Sequence, residues 1–383
     1  MKIVLRTLIL FTLFIFYSLQ SQEKIGNFKN FKVESKNKIH IGAENADLKI
    51  SFCTPSIIRF QTSWDRIFLD EEKSLMVNKY VWPEVDIKVK ETLDALKIES
   101  DSVLVYIQKK PLQIHIYNKK GELILSETNM QSNDGGAFKR NKIKGVQKKL
   151  LPEEHFFGFG ERMDFLDRRG KKVTLDVGRG IGKPHIIGAY NVLEANYAPA
   201  PFFMSTKGYG IFFHTAYPTT WDMGMSDPDT YSFQADGGEL DYYFIYGPNF
   251  PEILDGYTSI TGKSPLLPKF ALGLQVGTYS GGTWGHEEET SANYPVALVK
   301  KFRELEIPID VLHLDSTWRL FGENGGSGAT TFEWRETFIN TEAMFDSLYD
   351  LNINMVGLHI RPRFDNGKVK ITGSGKRSGS CVS

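Results

Sequence analysis

Asp315 closes an apolar run, Ile309-Asp-Val-Leu-His-Leu314, and Trp318 follows three residues later. A carboxylate at the end of a buried strand can accept hydrogen bonds from sugar hydroxyls, while an indole beside it packs on the apolar face of the ring. An aspartate there can equally cap its own loop by accepting backbone N–H groups, and position alone leaves both readings open. Arg361 and Arg363 flank Pro362 after another apolar run, Asn354-Met-Val-Gly-Leu-His-Ile360. They are fit to hold a substrate's oxygens or, equally, to pair with acids on the same rim. Tyr279 and Trp284 bracket a Gly-rich stretch that either shapes a subsite or is a loose connection. His286 with Glu287-Glu-Glu289 offers metal-ligand types, but acids at a helix start are far more often neighbours of the helix dipole. Zinc-ligand spacing, Gly-x-Gly-x-x-Gly and the phosphate-loop pattern are all missing, so neither a metal nor a cofactor is expected.

Those residues need elements to bring them together. Lys269-Phe-Ala-Leu-Gly-Leu-Gln-Val276 reads as a buried strand, and Val296, Val299, Phe302 and Leu305 recur on one face of a following helix. Ile307-Pro308 stops that helix and Ile309–Leu314 is a second strand. Asn340 or Thr341 caps a second helix, with Met344, Phe345, Leu348 and Leu351 facing inward, and Asn354–Ile360 is a third strand. Strands alternating with helices of this length predict a parallel sheet with right-handed crossovers. Polar and aromatic residues sit at each strand's C-terminal end, where a (β/α)₈ barrel builds its active site. Such a barrel needs eight units and roughly 250 residues; Phe270–Phe364 has room for three.

Residues from about 25 to 245 read as all-β. Ala46–Phe52 alternates, Ser56–Thr62 follows the Thr54-Pro55 break, and Val103–Ile107 pairs with Leu112–Tyr117 around Lys109-Lys-Pro111. Many short alternating runs between Gly, Pro and Asn turns predict a β-sandwich. Lys207-Gly208 is a hairpin turn within Pro201–Phe213. The polar, lysine-rich stretch from Gln131 to Lys149 is either a long hairpin or a surface loop. The period changes near Pro251, where Ile253, Leu254, Tyr257 and Ile260 mark a linking helix closed by Gly262. Pro265-Leu-Leu-Pro268 is a stiff connector, and a domain boundary is placed there.

The 46 basic and 46 acidic residues balance, which argues against nucleic acid or an anionic membrane surface as partner. Lys2 and Arg6, the apolar Leu8–Tyr17 and the polar Ser18–Ser21 form a secretory signal peptide, with cleavage expected near Ser21–Gln22. The apolar run falls short of the ~20 residues needed to span a bilayer. Export to the periplasm or beyond, without membrane insertion after cleavage, is the expectation. Two cysteines, Cys53 and Cys381, do not make a disulfide framework.

Phe157-Gly-Phe-Gly-Glu-Arg162 resembles the Gly-Leu-Gly-Glu-Arg signature of glycoside hydrolase family 31. The Pro201–Phe213 hairpin, Tyr246-Gly-Pro248, Tyr257–Gly262 and Pro265–Gly273 continue the likeness in order. Ile307–Asp315 with Trp318 is similar to that family's second barrel strand, and the resemblance runs from about Ala46 to Phe364. It implies a galactose-mutarotase-like β-sandwich before a (β/α)₈ catalytic barrel, and retaining cleavage of α-glycosidic bonds in oligo- or polysaccharides. A carbohydrate is then the partner. Two carboxylates ~5–5.5 Å apart perform such a reaction. The family's nucleophile follows the fourth barrel strand and its acid/base the sixth. Asp315 matches the substrate-binding aspartate of strand two, so no catalytic residue is assigned in this chain. Where the family carries Trp-Asn-x-Asp reaching the sugar, this chain has Asp176-Val-Gly-Arg179, and Arg179 is expected in place of the aspartate. Ser316-Thr-Trp318 leans toward the xylosidase-like and galactosidase-like branches.

The expected organisation is therefore a signal peptide over 1–21, a β-sandwich over 22–265, the first three units of an incomplete barrel over 266–367, and an unstructured tail over 368–383. Asp315, Trp318, Tyr279, Arg361, Arg363 and Arg179 are the expected substrate contacts. The chain itself is expected to be an inactive N-terminal fragment of an α-glycosidase. The alternative is a non-catalytic carbohydrate-binding or scaffold protein that uses the sandwich alone.

Overall fold

The computed structural model describes residues 22–68, 74–127, 136–162, 164–176, 198–278, 291–315, 318–319 and 334–358. The expected signal peptide and tail, and Arg179, Tyr279, Trp284, His286, Glu287–Glu289, Arg361 and Arg363, lie outside them. The chain divides into two compact units between Lys263 and Ser264.

The first unit is built from antiparallel sheets. The largest runs in the order Phe156–Glu161, Ala198–Ser205, Tyr209–Phe213, Leu240–Tyr246, Ile57–Ser63, Asp47–Phe52, Lys38–Ala43, Phe28–Ser35. A second contains Gly136–Arg140, Ile143–Lys149, Thr230–Ala235, Thr219–Asp222 and Lys172–Leu175, with Glu23–Lys24 at its edge. A third is formed by Leu123–Ser126, Leu112–Asn118, Val103–Lys109, Ala95–Glu99 and Lys88–Glu91. All three feed one core. In Thr230–Ala235 every second residue, Tyr231, Phe233 and Ala235, is buried there, which is what period-2 alternation requires of a half-buried strand.

Leu240–Tyr246 is buried on both faces. Leu240, Tyr242 and Phe244 join the main core, while Tyr243 and Ile245 join a smaller cluster with Ile253 and Ile260 of the helix Phe250–Thr261. That helix forms where its period indicated. Asn249 accepts from the Glu252 N–H at its start, Gly262 closes it at φ 101°, and Tyr257 stacks on Phe202 at 4.0 Å. Leu254, expected on the buried face, is exposed. The Lys207-Gly208 turn also forms, with Gly208 at φ 81° and its N–H donating to the Ser205 carbonyl. The lysine-rich stretch is a hairpin from Gly136 onward, turning at Asn141.

The second unit holds a parallel sheet in the order Gln275–Thr278, Val311–Leu314, Met355–Leu358. Helices Asn293–Glu304 and Thr341–Asp350 connect its strands. Asn340 is the cap, accepting from the Ala343 N–H, and Val299, Met344 and Leu348 are buried as their spacing predicts. The first strand differs from its expectation. Lys269–Leu272 forms a 3₁₀ turn and only Gln275–Thr278 pairs. Parallel strands are buried by neighbours on both sides and layers on both faces. Among the described residues this strand has one neighbour, and Leu272 and Leu274 stay exposed. Phe345, expected inward, is 36% exposed, with its ring 6.1 Å from that of Trp334.

Candidate functional site

The sheet register aligns Thr278, Leu314 and Leu358. The next position on the middle strand is Asp315, half-buried, whose carbonyl accepts the Trp318 N–H at 3.4 Å. Alternation separates the faces of this sheet. Val276, Leu312, Leu314 and Val356 pack with the helices, while on the opposite face Gly277, His313 and Gly357 are in register, and so are Gln275, Val311 and Met355. His313 shares a hydrogen bond of 2.9 Å with Gln275 Oε1. A methyl group on Gly357 would lie 2.5 Å from His313 Nδ1, so glycine is what lets the imidazole lie over the third strand. This His313–Gln275 pair was not singled out from the sequence, although the same alternation that found the strands also places both residues on one face.

Trp318 is not an open stacking face. Its side chain is 1% exposed, in the core formed with Phe338, Met344 and Leu348, and its ring lies 4.9 Å from Trp334. The Arg335 N–H donates to its carbonyl at 2.9 Å. Its aromatic bulk was read as a sugar platform, but burying so large an apolar surface within a small unit outweighs leaving it open. Trp318 instead fixes the chain just beyond Asp315. Of the expected contacts, then, the structure describes Asp315 and Trp318 and places only Asp315 directly after the middle strand with its side chain half-buried.

In the first unit, the signature residues lie on the strand Phe156–Glu161, at the edge of its sheet among the described residues, with a bulge between Gly158 and Gly160. Gly160 adopts φ 81°, and a methyl there would lie 2.1 Å from the Ala198 carbonyl oxygen, so only glycine fits. Arg162 grips Asp164 through Nε and a terminal nitrogen at 3.0 and 2.7 Å, and Arg168 engages the same carboxylate. Burial would raise the Asp164 carboxyl, but the two guanidinium groups prevail and hold it below its usual range. The signature is thus a structural corner: a bulge that re-aims the chain and an ion cluster that locks it.

Ser74, His214 and Asp241 stand in an order that resembles a nucleophile array. Ser74 Oγ is 2.7 Å from His214 Nε2, and His214 Nδ1 is 2.9 Å from Asp241 Oδ2. Arg59, however, takes both oxygens of Asp241 at 2.9 and 2.7 Å. That fork neutralises the carboxylate an imidazolium would need, so the array ties the segment beginning at Ser74 to the sheet.

Two further buried networks were invisible in the sequence. Glu154 accepts from Ser205 Oγ at 2.6 Å and Tyr209 OH at 2.7 Å, and Tyr209 pairs with Tyr231 at 2.7 Å. Burial raises the Glu154 carboxyl against these donors. Lys148, fully buried, reaches Glu127 Oε1 and Tyr242 OH, both at 3.3 Å. His115 lies nearby, its Nδ1 2.9 Å from Ser126 Oγ, and burial reinforced by the Lys148 charge pushes its imidazole down to about 4. An unfolded chain takes up this proton near 6.5, the folded chain only near 4, so acidification through that window favours unfolding. His115→Gln is expected to flatten the fall of the melting temperature between pH 6.5 and 4; an unchanged slope would locate the acid sensitivity elsewhere.

Residues 47–222 match the glycosyl hydrolase 31 N-terminal galactose mutarotase-like domain, and residues 264–380 match the glycosyl hydrolases family 31 TIM-barrel domain. The chain belongs to glycoside hydrolase family 31. Its architecture is accordingly a galactose-mutarotase-like sandwich followed by part of a family 31 barrel. Among relatives in family 31, "Alpha-glucosidase 2" of Bacillus thermoamyloliquefaciens is 31% identical over 336 residues, covering 87% of this chain and 39% of the relative. The alpha-xylosidase XylQ of Lactiplantibacillus pentosus is 28% identical, covering 71% and 33%. A family 31 dextranase of Flavobacterium johnsoniae, in complex with isomaltotriose, superposes with a TM-score of 0.74 at 27% identity, covering 87% of this chain and 38% of that one. The chain thus spans less than two fifths of the length of these family 31 proteins.

Proposed function

We propose that this polypeptide is the front part of an exported retaining α-glycosidase, and that Asp315 holds a hydroxyl-bearing ring of an α-linked glycoside at the mouth of the barrel. The observation that supports the reading is a half-buried carboxylate directly after the middle of three parallel strands in a family 31 barrel. The strands' C-terminal ends are where barrel enzymes gather their functional groups. Relatives named as an α-glucosidase and an α-xylosidase bracket the substrate class without choosing between them. The Asp176–Arg179 departure and Ser316-Thr-Trp318 favour a sugar other than plain glucose.

Bond cleavage on this reading belongs to carboxylates on later barrel strands, while residues of the first three strands orient the sugar. A polypeptide of these 383 residues is expected to leave nitrophenyl α-glucoside, α-xyloside and α-galactoside intact, and one extended through all eight barrel strands to hydrolyse at least one with retention. Turnover by mass-verified 383-residue protein would refute this division of labour, and inversion at the anomeric carbon would refute the mechanism.

A further inference from the structure

On the sheet face turned away from the helices, the register row Gly277, His313, Gly357 carries one side chain. A barrel interior is filled in layers, each taking its side chains from alternate strands. This row has that form: an imidazole from the middle strand and only hydrogen from the strands beside it. The ring leans toward the third strand. A methyl on Gly357 would lie 2.5 Å from Nδ1 and 3.1 Å from Cε1, whereas one on Gly277 would meet His313 only at Cβ, 3.9 Å away. Hydrogen bonds to the first strand fix the ring's orientation. Gln275 Nε2 donates to the Ala271 carbonyl at 2.7 Å. A carbonyl oxygen only accepts, so the amide turns its nitrogen to Ala271 and its oxygen to His313. That oxygen lies 2.9 Å from His313 Nε2 and again only accepts. Nε2 therefore carries the hydrogen, and in the neutral ring Nδ1 keeps the lone pair. The relay runs from the 3₁₀ turn Lys269–Leu272, through Gln275 and the middle strand, to the backbone of the third strand.

We infer that His313 is a positioning residue for Asp315: the Ala271–Gln275–His313 relay sets where the middle strand stands between its neighbours, and so where the carboxylate meets the sugar. Asp315 comes two residues after His313, the spacing that returns a strand to the same face. A functional group works only as well as the groups that hold its support in place, and a support that is loose by 1 Å spoils it. The backbone ladder already pairs the three strands, and Leu312 and Leu314 are fully buried on the other face. Losing the relay should therefore leave the melting temperature nearly unchanged and act on placement instead. The role rests on the reading of Asp315 as a sugar contact of a glycosidase.

The test has two arms. In the 383-residue chain with nitrogen-15 in its imidazoles, NMR should show the His313 hydrogen on Nε2, and Gln275→Leu should release the ring to a mixture of tautomers. A hydrogen on Nδ1 in the unsubstituted chain would overturn the relay whatever the enzyme does. In a polypeptide extended through all eight barrel strands, Gln275→Leu and His313→Phe should each lower kcat/KM about tenfold, mainly through kcat, within the ~10²-fold that a displacement of 1 Å costs. Neither should lower it further once Asp315 is replaced by alanine, because the effect passes through that carboxylate. An unchanged kcat/KM in both single variants, or losses that multiply with that of Asp315→Ala, would overturn the inference while the glycosidase reading stands. No turnover by the extended polypeptide, or an Asp315→Ala variant as active as its parent, would overturn the reading beneath it, and this role with it.

Discussion

Asp315→Ala, introduced into a polypeptide that carries the whole barrel, is expected to lower kcat/KM by about 10²-fold or more while leaving the fold intact. The carboxylate sits directly after the strand Val311–Leu314, which pairs in parallel with a strand on each side. Its backbone is fixed on one side by the ladder and on the other by Trp318, whose buried ring and bonded carbonyl anchor the loop. On the proposed reading such a group places the sugar, and misplacement of about 1 Å costs on the order of 10²-fold. Asp315→Asn keeps an acceptor but loses the charge, and should fall between the wild type and alanine. The competing reading, a loop cap, predicts a different pattern: the melting temperature would drop while kcat and KM barely move. An unaltered kcat/KM would assign Asp315 to that role. Trp318→Ala provides the contrast, since removing a buried ring should destabilise by about 3–5 kcal/mol before any effect on substrate is seen.

What could be read from the sequence was whatever local periodicity controls. Tyr231, Phe233 and Ala235 alternate inward, Met344 and Leu348 recur at helical spacing, and Asn340 caps its helix with a side-chain oxygen; these need only neighbours within a few residues. The parallel pairing around Val311–Leu314 followed from helices of the right length between strands. Other features depend on distant partners and left no local trace. Arg59 and Asp241 are 182 residues apart, and neither run names the other. Lys148 stands in a polar, lysine-rich stretch that reads equally as a hairpin or a surface loop, yet the strand Ile143–Lys149 turns it inward to Glu127 and Tyr242. Trp318 shows the reverse failure. Chemistry made it an attractive platform, while the need to fill the second unit's core with a large ring decided its place. Of the candidate site, the sequence carried Asp315 through strand position, and the pairing of His313 with Gln275 only implicitly.

Lys148→Met should be the most destabilising single change in the first unit, by about 3–5 kcal/mol, because it leaves one half of a buried ion pair behind. Lys148 is fully buried and Glu127 nearly so. Glu127 keeps one other bond, accepting the Ile114 N–H at 3.0 Å through Oε2, and Tyr242 OH loses its Lys148 contact as well. Against a total stability of ~5–15 kcal/mol for an ordinary domain, such a loss is large. The charge and the cavity can be told apart. Methionine nearly preserves the volume of lysine, so the cost must come from the unpaired carboxylate, and Lys148→Met combined with Glu127→Gln should recover most of it. Failure of the double substitution to recover stability in urea titrations would show that packing dominates instead. A pH dependence follows with a definite sign. Burial lowers the Lys148 ammonium below its ordinary value of 10.5, more than the Glu127 carboxylate raises it. The unfolded chain therefore binds this proton more tightly than the folded chain, and raising the pH toward 10.5 should relieve part of the cost of burying the charge. In the wild type this contributes a rise of stability with pH through that alkaline window, and in Lys148→Met the contribution should vanish. A slope that survives the substitution would mean that the ammonium is held at full charge by Glu127 and Tyr242, and that the pair stabilises the sandwich as an ion pair throughout.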